Sequence, residues 1–123
     1  ETNEKYESLA KTDYLTGINN RRNFFHLGES LYEEDIECKD NIYIALFDLD
    51  NFKLLNDTYG HHLGDKALIS FAKKVEKNIN KNSDIFGRLG GEEFGLIIKS
   101  SHENKIVSKI DDIRKAIEEI TLF

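Results

Sequence analysis

The stretch Arg88-Leu89-Gly90-Gly91-Glu92-Glu93-Phe94 decides how this chain is read. Glycine accepts positive φ without steric cost, so Gly90-Gly91 permits a tight reversal. The flanks Asp84-Ile85-Phe86-Gly87-Arg88 and Phe94-Gly95-Leu96-Ile97-Ile98 read as strands. A β-hairpin with Glu92 and Glu93 at its tip follows. Adjacent carboxylates repel, which disfavours such a turn on stability grounds alone. The same pair suits a divalent cation held against a phosphate. Taken alone, the turn is equally an exposed acidic loop.

Upstream, Ile42-Tyr43-Ile44-Ala45-Leu46-Phe47 is a continuous apolar run, read as a buried strand over 41–50. It closes on Phe47-Asp48-Leu49-Asp50, and period-two geometry puts Asp48 and Asp50 on one face. A hairpin beside this strand brings Glu92 and Glu93 near both. An oxygen-rich cluster without His or Cys selects Mg²⁺ or Mn²⁺ over zinc. The segment from Asn56 to Asp65 is polar and glycine-bearing and leads into a helix. Asn56 offers donors and an acceptor, and Asp65 could accept two N–H groups from the guanine edge. Equally, Asn56 could close a turn and Asp65 complement a helix dipole. The neighbouring His61 and His62 diverge on any regular element, and packing or capping explains them better than a shared metal.

Apolar periodicity predicts helices over 21–34 (Phe24, Phe25, Leu27, Leu31 and Tyr32), 64–79 (Leu68, Phe71, Ala72, Val75 and Ile79) and 102–120 (Ile106, Ile110, Ile113 and Ile117). Residues 52–60 read as a short helix or irregular segment. Residues 4–11 read as the end of a helix, followed by a connector over 13–20 that turns at Thr16-Gly17. The fold class is α/β (α+β), a mixed central sheet flanked by helices. The apolar ending Leu122-Phe123 suits the start of another strand, so the sheet is expected to be incomplete.

The 123 residues fit one domain, 39% of them hydrophobic and 33% charged. A net charge of −6 with no basic stripe argues against a nucleic-acid partner. No apolar run is long enough to insert in a membrane, and no signal-peptide pattern is present. The single cysteine, Cys38, excludes an internal disulfide, suits a reducing compartment and reads as an unremarked thiol.

Three ordered motifs resemble one family, the GGDEF domain of bacterial diguanylate cyclases. They are Asp13-Tyr14-Leu15-Thr16-Gly17-Ile18-Asn19-Asn20-Arg21-Arg22, then Phe47-Asp48-Leu49-Asp50-Asn51-Phe52-Lys53-Leu54-Leu55-Asn56-Asp57 continuing to Gly64-Asp65, then the Arg88–Phe94 signature. The resemblance spans 13 to about 98. It implies a palm-like, ferredoxin-like nucleotide cyclase architecture in the GGDEF domain, 13–123, lacking its C-terminal strands, with 1–12 ending a linker helix. It implies condensation of two GTP into cyclic di-GMP across a dimer of domains. Asp48, Glu93 and the Leu49 carbonyl would hold Mg²⁺, with Asp50 in support. Glu92 would be the base or a metal contributor. Asn56 and Asp65 would read guanine, Lys53 would neutralise phosphate charge, and Gly90 and Gly91 would border the substrate. Asp13 and Arg21 would anchor the upstream helix. A cytoplasmic location and an upstream sensory domain are implied, with room for a membrane tether in a longer protein.

Two departures stand out. The family's Arg-x-x-Asp product site reads Lys81-Asn82-Ser83-Asp84 here, and lysine lacks arginine's planar fork. The family's later strands and a basic triphosphate-contacting segment have no counterpart in this sequence. The alternatives are a non-catalytic GTP-binding regulatory module and a dimerisation module without a nucleotide role.

Overall fold

The structure is a computed structural model that describes residues 10–34 and 40–120. The expected helix over 4–11 lies almost wholly outside that range, as does Cys38. Among the described residues seven elements follow in order: α1 Arg21–Glu34, β1 Asn41–Asp48, α2 Phe52–Tyr59, α3 His61–Glu76, β2 Ile85–Gly90, β3 Glu93–Ser100 and α4 Glu103–Glu118.

The three strands form one sheet in the order β1-β3-β2. β3 lies between β1 and β2 and pairs antiparallel with each. A single parallel bridge, Asn19 to Gly87, extends the sheet beyond β2. The α/β class is as expected.

Period-two alternation sorts the sheet into two faces. Phe47, Phe86, Phe94, Leu96 and Ile98 meet α3 and α4, whose Leu68, Phe71, Val75, Ile106 and Ile113 complete the core. Phe71 is the hub, with its ring centroid 4.6 Å from that of Phe94 and 5.7 Å from that of Phe47. On the opposite face α1 packs Phe24 onto the sheet. A Cβ at Gly87 or Gly95 would come within 2.9 or 2.7 Å of Phe24 atoms, so the two glycines form the floor on which that ring lies.

Two expectations about burial are corrected. β1 is not buried on both faces: Ile44 and Leu46 are 61% and 73% exposed. They lie on the face that α1 covers only over the other strands. The apolar face of α1 is also narrower than its sequence suggests. Phe24 is buried, whereas Phe25 and Tyr32 are exposed. Phe25 instead lies under the Arg21 guanidinium, 5.3 Å from the ring centroid.

Candidate active site

The hairpin places the acidic residues more finely than the sequence could. Glu93 is the first residue of β3, directly opposite Asp48, the last of β1. The two carboxylates share a face at the end of the ladder, and both residues are exposed. Glu92 is at the turn, and its carbonyl accepts a hydrogen bond from the Leu49 N–H at 3.2 Å. That bond carries the pairing one residue past the strand. Of the two glycines, only Gly91 takes positive φ, at 42°; Gly90 ends β2, next to a register shift between Arg88 and Gly90.

Asp50 does not continue the strand. β1 ends at Asp48 and Asp50 sits in the turn that follows, so the period-two reading stops short of it. Asn51 then adopts left-handed geometry, φ 58°, at the start of α2. Asparagine tolerates this conformation better than most residues. Asp50 is exposed, two residues past Asp48 and in the turn that leads into α2.

Lys53 lies in the first turn of α2, exposed, and Asn56 lies one turn later, half-buried. Gly60, at φ 92°, separates α2 from α3. Helix α3 therefore begins at His61, earlier than expected, and carries Asp65 exposed in its second turn. Asn56 Oδ1 is buried and has no hydrogen-bond partner, the one such side-chain atom among the described residues. An unmet buried acceptor costs on the order of 1–3 kcal/mol.

A groove of about 1030 Å³ opens at the β1–α2 turn. Asp48, Leu49 and Asp50 line one end, while Leu46, Phe71 and Ile117 give it apolar walls. Glu92, Glu93, Asn56 and Asp65 lie outside it. The larger hollow and the polar cluster thus meet only at the β1–α2 turn.

A second set of residues holds the signature from behind. The Arg88 Nη1 donates to both oxygens of Asp13, at 3.1 and 3.3 Å, and its Nε donates to the Gly91 carbonyl at 2.9 Å. Asp13 also accepts from the Thr16 N–H and hydroxyl. Asn19 receives the Arg88 N–H on its carbonyl and donates its own amide to the Phe86 carbonyl. Asn20 caps α1 by accepting the Asn23 N–H at 2.9 Å. Asp13 thus serves the signature strand, as does Arg21, whose Nη1 reaches the Leu89 carbonyl at 3.4 Å. The roles of Arg88, Asn19 and Asn20 escaped the sequence reading. Only Asn20, an asparagine just before an apolar-periodic run, carried a local signal.

The Lys81–Asp84 stretch is committed to structure. Asp84 is buried, accepts the Asn80 N–H at 2.9 Å and pairs with Lys109 of α4. Lys81 points to Glu76, 3.7 Å away.

The donor set around Asp48 and Glu93 is all oxygen. Among the described residues no three His, Cys, Asp or Glu side chains converge into a complete metal cage. A pair of carboxylates suits a hard divalent cation that fills its remaining positions with water and phosphate oxygens.

Comparison with known proteins agrees over nearly the whole chain. The family described as "Diguanylate cyclase, GGDEF domain" matches residues 10–122. Diguanylate cyclase DgcP of Escherichia coli is 38% identical over 110 residues, covering 89% of this chain and 32% of that protein. The diguanylate cyclase SiaD of Pseudomonas aeruginosa, solved with its activator SiaC, superposes with a TM-score of 0.85 at 27% identity, covering 99% of this chain and 48% of the other. The coiled coil and GGDEF domain of DgcB from Caulobacter crescentus, solved with c-di-GMP, gives 0.81 at 28% identity, covering 91% and 58%. The chain spans about a third of the length of the curated relatives it matches.

Proposed function

The chain belongs to the GGDEF family of diguanylate cyclase domains, and from that premise we propose that it condenses two GTP into cyclic di-GMP, releasing two pyrophosphates. The observation that carries this reading is the register Asp48 to Glu93, which sets two acidic residues side by side on one face at the sheet end.

In this mechanism Asp48, Glu93 and the Leu49 carbonyl would hold Mg²⁺, with Asp50 in support, and the bound cation would supply Lewis-acid activation of a 3′-hydroxyl and charge stabilisation at the α-phosphate oxygens. Glu92 accepts the proton as the 3′-oxygen forms its bond to the α-phosphorus of the other GTP. The bond from that phosphorus to pyrophosphate breaks, and the same exchange in the opposite sense closes the ring. Lys53 offsets phosphate charge. Gly90 and Gly91 carry no side chain between the turn and the nucleotide. Asn56 and Asp65 contact the guanine edge and set GTP above ATP. Each domain binds one GTP, so two domains face each other in a two-fold arrangement, and upstream sensory elements act by controlling that approach.

The test is turnover of GTP with Mg²⁺, with nucleotides separated by chromatography and identified by mass. Cyclic di-GMP is the expected product, abolished by chelation and reduced ~100-fold or more by Glu93→Ala. Metal-dependent GTP binding without any cyclic dinucleotide would instead support a non-catalytic GTP-binding regulatory module.

A further inference from the structure

Gly64 occupies an unusual position among the glycines. A Cβ built on it would lie 1.7 Å from Asn56 Oδ1, 2.8 Å from its Cγ and 3.3 Å from its Nδ2. All three nearest atoms belong to one side-chain amide. At Gly28 and Gly95 the nearest atoms belong to Ile97 or Phe24, at 2.7 Å or more, and at Gly87 they belong to Phe24 and the Asn19 carbonyl, at 2.9 Å or more. Those contacts are matters of sheet and helix packing. Backbone conformation does not require glycine at 64 either, because its φ is not positive. It lies within α3, where glycine is a poorer helix former than alanine. What the missing side chain makes room for is the Asn56 amide. The amide oxygen faces Gly64, and it is the buried atom without a hydrogen-bond partner.

We infer that Gly64 is a positioning residue for base recognition. Its bare backbone lets α3 close against α2 with the Asn56 amide oxygen turned inward and the amino group turned away. This rests on the reading of Asn56 as a guanine-contacting residue. Alanine at 64 would push the oxygen back by about 1.7 Å or more to reach an ordinary carbon–oxygen contact. Two rotatable bonds separate the amide from its backbone, so side-chain rotation absorbs the clash and the fold survives. Base recognition weakens, because the displaced amide no longer meets the guanine edge, and a lost hydrogen bond of ordinary strength is worth on the order of 10-fold in affinity.

The test is a double-mutant cycle in the intact protein: Gly64→Ala, Asn56→Ala and both together. Affinities for 3′-deoxy-GTP and 3′-deoxy-ATP, which cannot be condensed, are measured by calorimetric titration with Mg²⁺, alongside thermal melting. Gly64→Ala is expected to weaken the guanine nucleotide ~10-fold or more while leaving the adenine nucleotide unchanged. Added to Asn56→Ala, it should change either affinity by less than about twofold. A Gly64→Ala protein that binds 3′-deoxy-GTP as the parent does would overturn the inference. So would an equal loss in the Asn56→Ala background. Should Gly64→Ala fail to fold, the double variant decides, since Asn56→Ala empties the space. Folding restored in the double variant supports the coupling, and continued misfolding overturns it. If Asn56→Ala leaves 3′-deoxy-GTP affinity intact, the guanine assignment itself fails. If Asn56→Ala weakens binding and Gly64→Ala does not, only the role of Gly64 fails.

Discussion

Arg88 connects parts of the chain 75 residues apart. Its guanidinium engages both oxygens of Asp13 and, through Nε, the carbonyl of Gly91. The ion pair is largely shielded, with side-chain exposures of 16% and 13%. Removing one partner leaves the other partly desolvated and unpaired, which costs more than the pair contributes. Arg88→Ala is therefore expected to destabilise the fold by about 2 kcal/mol, read as a lower urea midpoint with unchanged slope. Because the same side chain pins the turn beside Glu92, nucleotide binding should weaken beyond what the stability loss explains. Arg88→Lys keeps the charge but not the fork, so it should recover part of the stability and little of the turn geometry. Unchanged midpoints in both variants would refute the clamp. The acidic residues were legible in the sequence because their chemistry announces itself through charge and spacing. Arg88 and Gly64 were not, because each acts through a partner that only the folded chain supplies. Asp50 was misplaced for a local reason, the left-handed Asn51 next to it.

The elements followed apolar periodicity closely. Helix α1 falls over the expected residues, and α3 and α4 differ from expectation only near their ends. The exception in burial is instructive. A run such as Ile42–Phe47 reads as buried on both faces, yet sheet order leaves Ile44 and Leu46 uncovered. Position within a sheet is a tertiary property that a strand's own sequence does not carry. The close contact between α1 and the sheet has the same character. Phe24 sits 1% exposed over Gly87 and Gly95, and the three residues are scattered along the sequence. A methyl group on Gly95 would fall 2.7 Å from Phe24 Cζ. Below 3.0 Å something must shift, and a ring this well buried has close-packed neighbours on every side. Gly95→Ala is expected to destabilise by about 2 kcal/mol through overpacking, whereas volume-conserving changes elsewhere cost less. Adding Phe24→Leu should restore part of the loss. Full additivity of the two changes would show that the ring and the glycine do not meet.

At the scale of the molecule, the proposed reaction sets a kinetic requirement. The product is two-fold symmetric and each domain supplies half of the reacting atoms, so one domain with GTP bound is a resting state. Turnover per protein molecule must then rise in proportion to protein concentration while dimers are scarce, and level off once they dominate. A rate per molecule that stays flat across a hundredfold dilution series would refute association-limited catalysis. The net charge of −6 sharpens the expectation. Two acidic bodies repel, and their repulsion is screened as the Debye length shrinks from ~30 Å at 0.01 M salt to ~8 Å at 0.15 M. Moderate salt should therefore raise the rate in the dilute regime, where encounter limits it, and leave the plateau little changed. Salt that instead weakened GTP binding alone would lower both regimes alike. The two effects separate because one acts on how often half-sites meet and the other on what each half-site holds. Fusing a parallel dimeric coiled coil ahead of Ala10 supplies the encounter covalently. It should raise the dilute-regime rate towards the plateau and remove the salt dependence, while Glu93→Ala in the same fusion stays inactive.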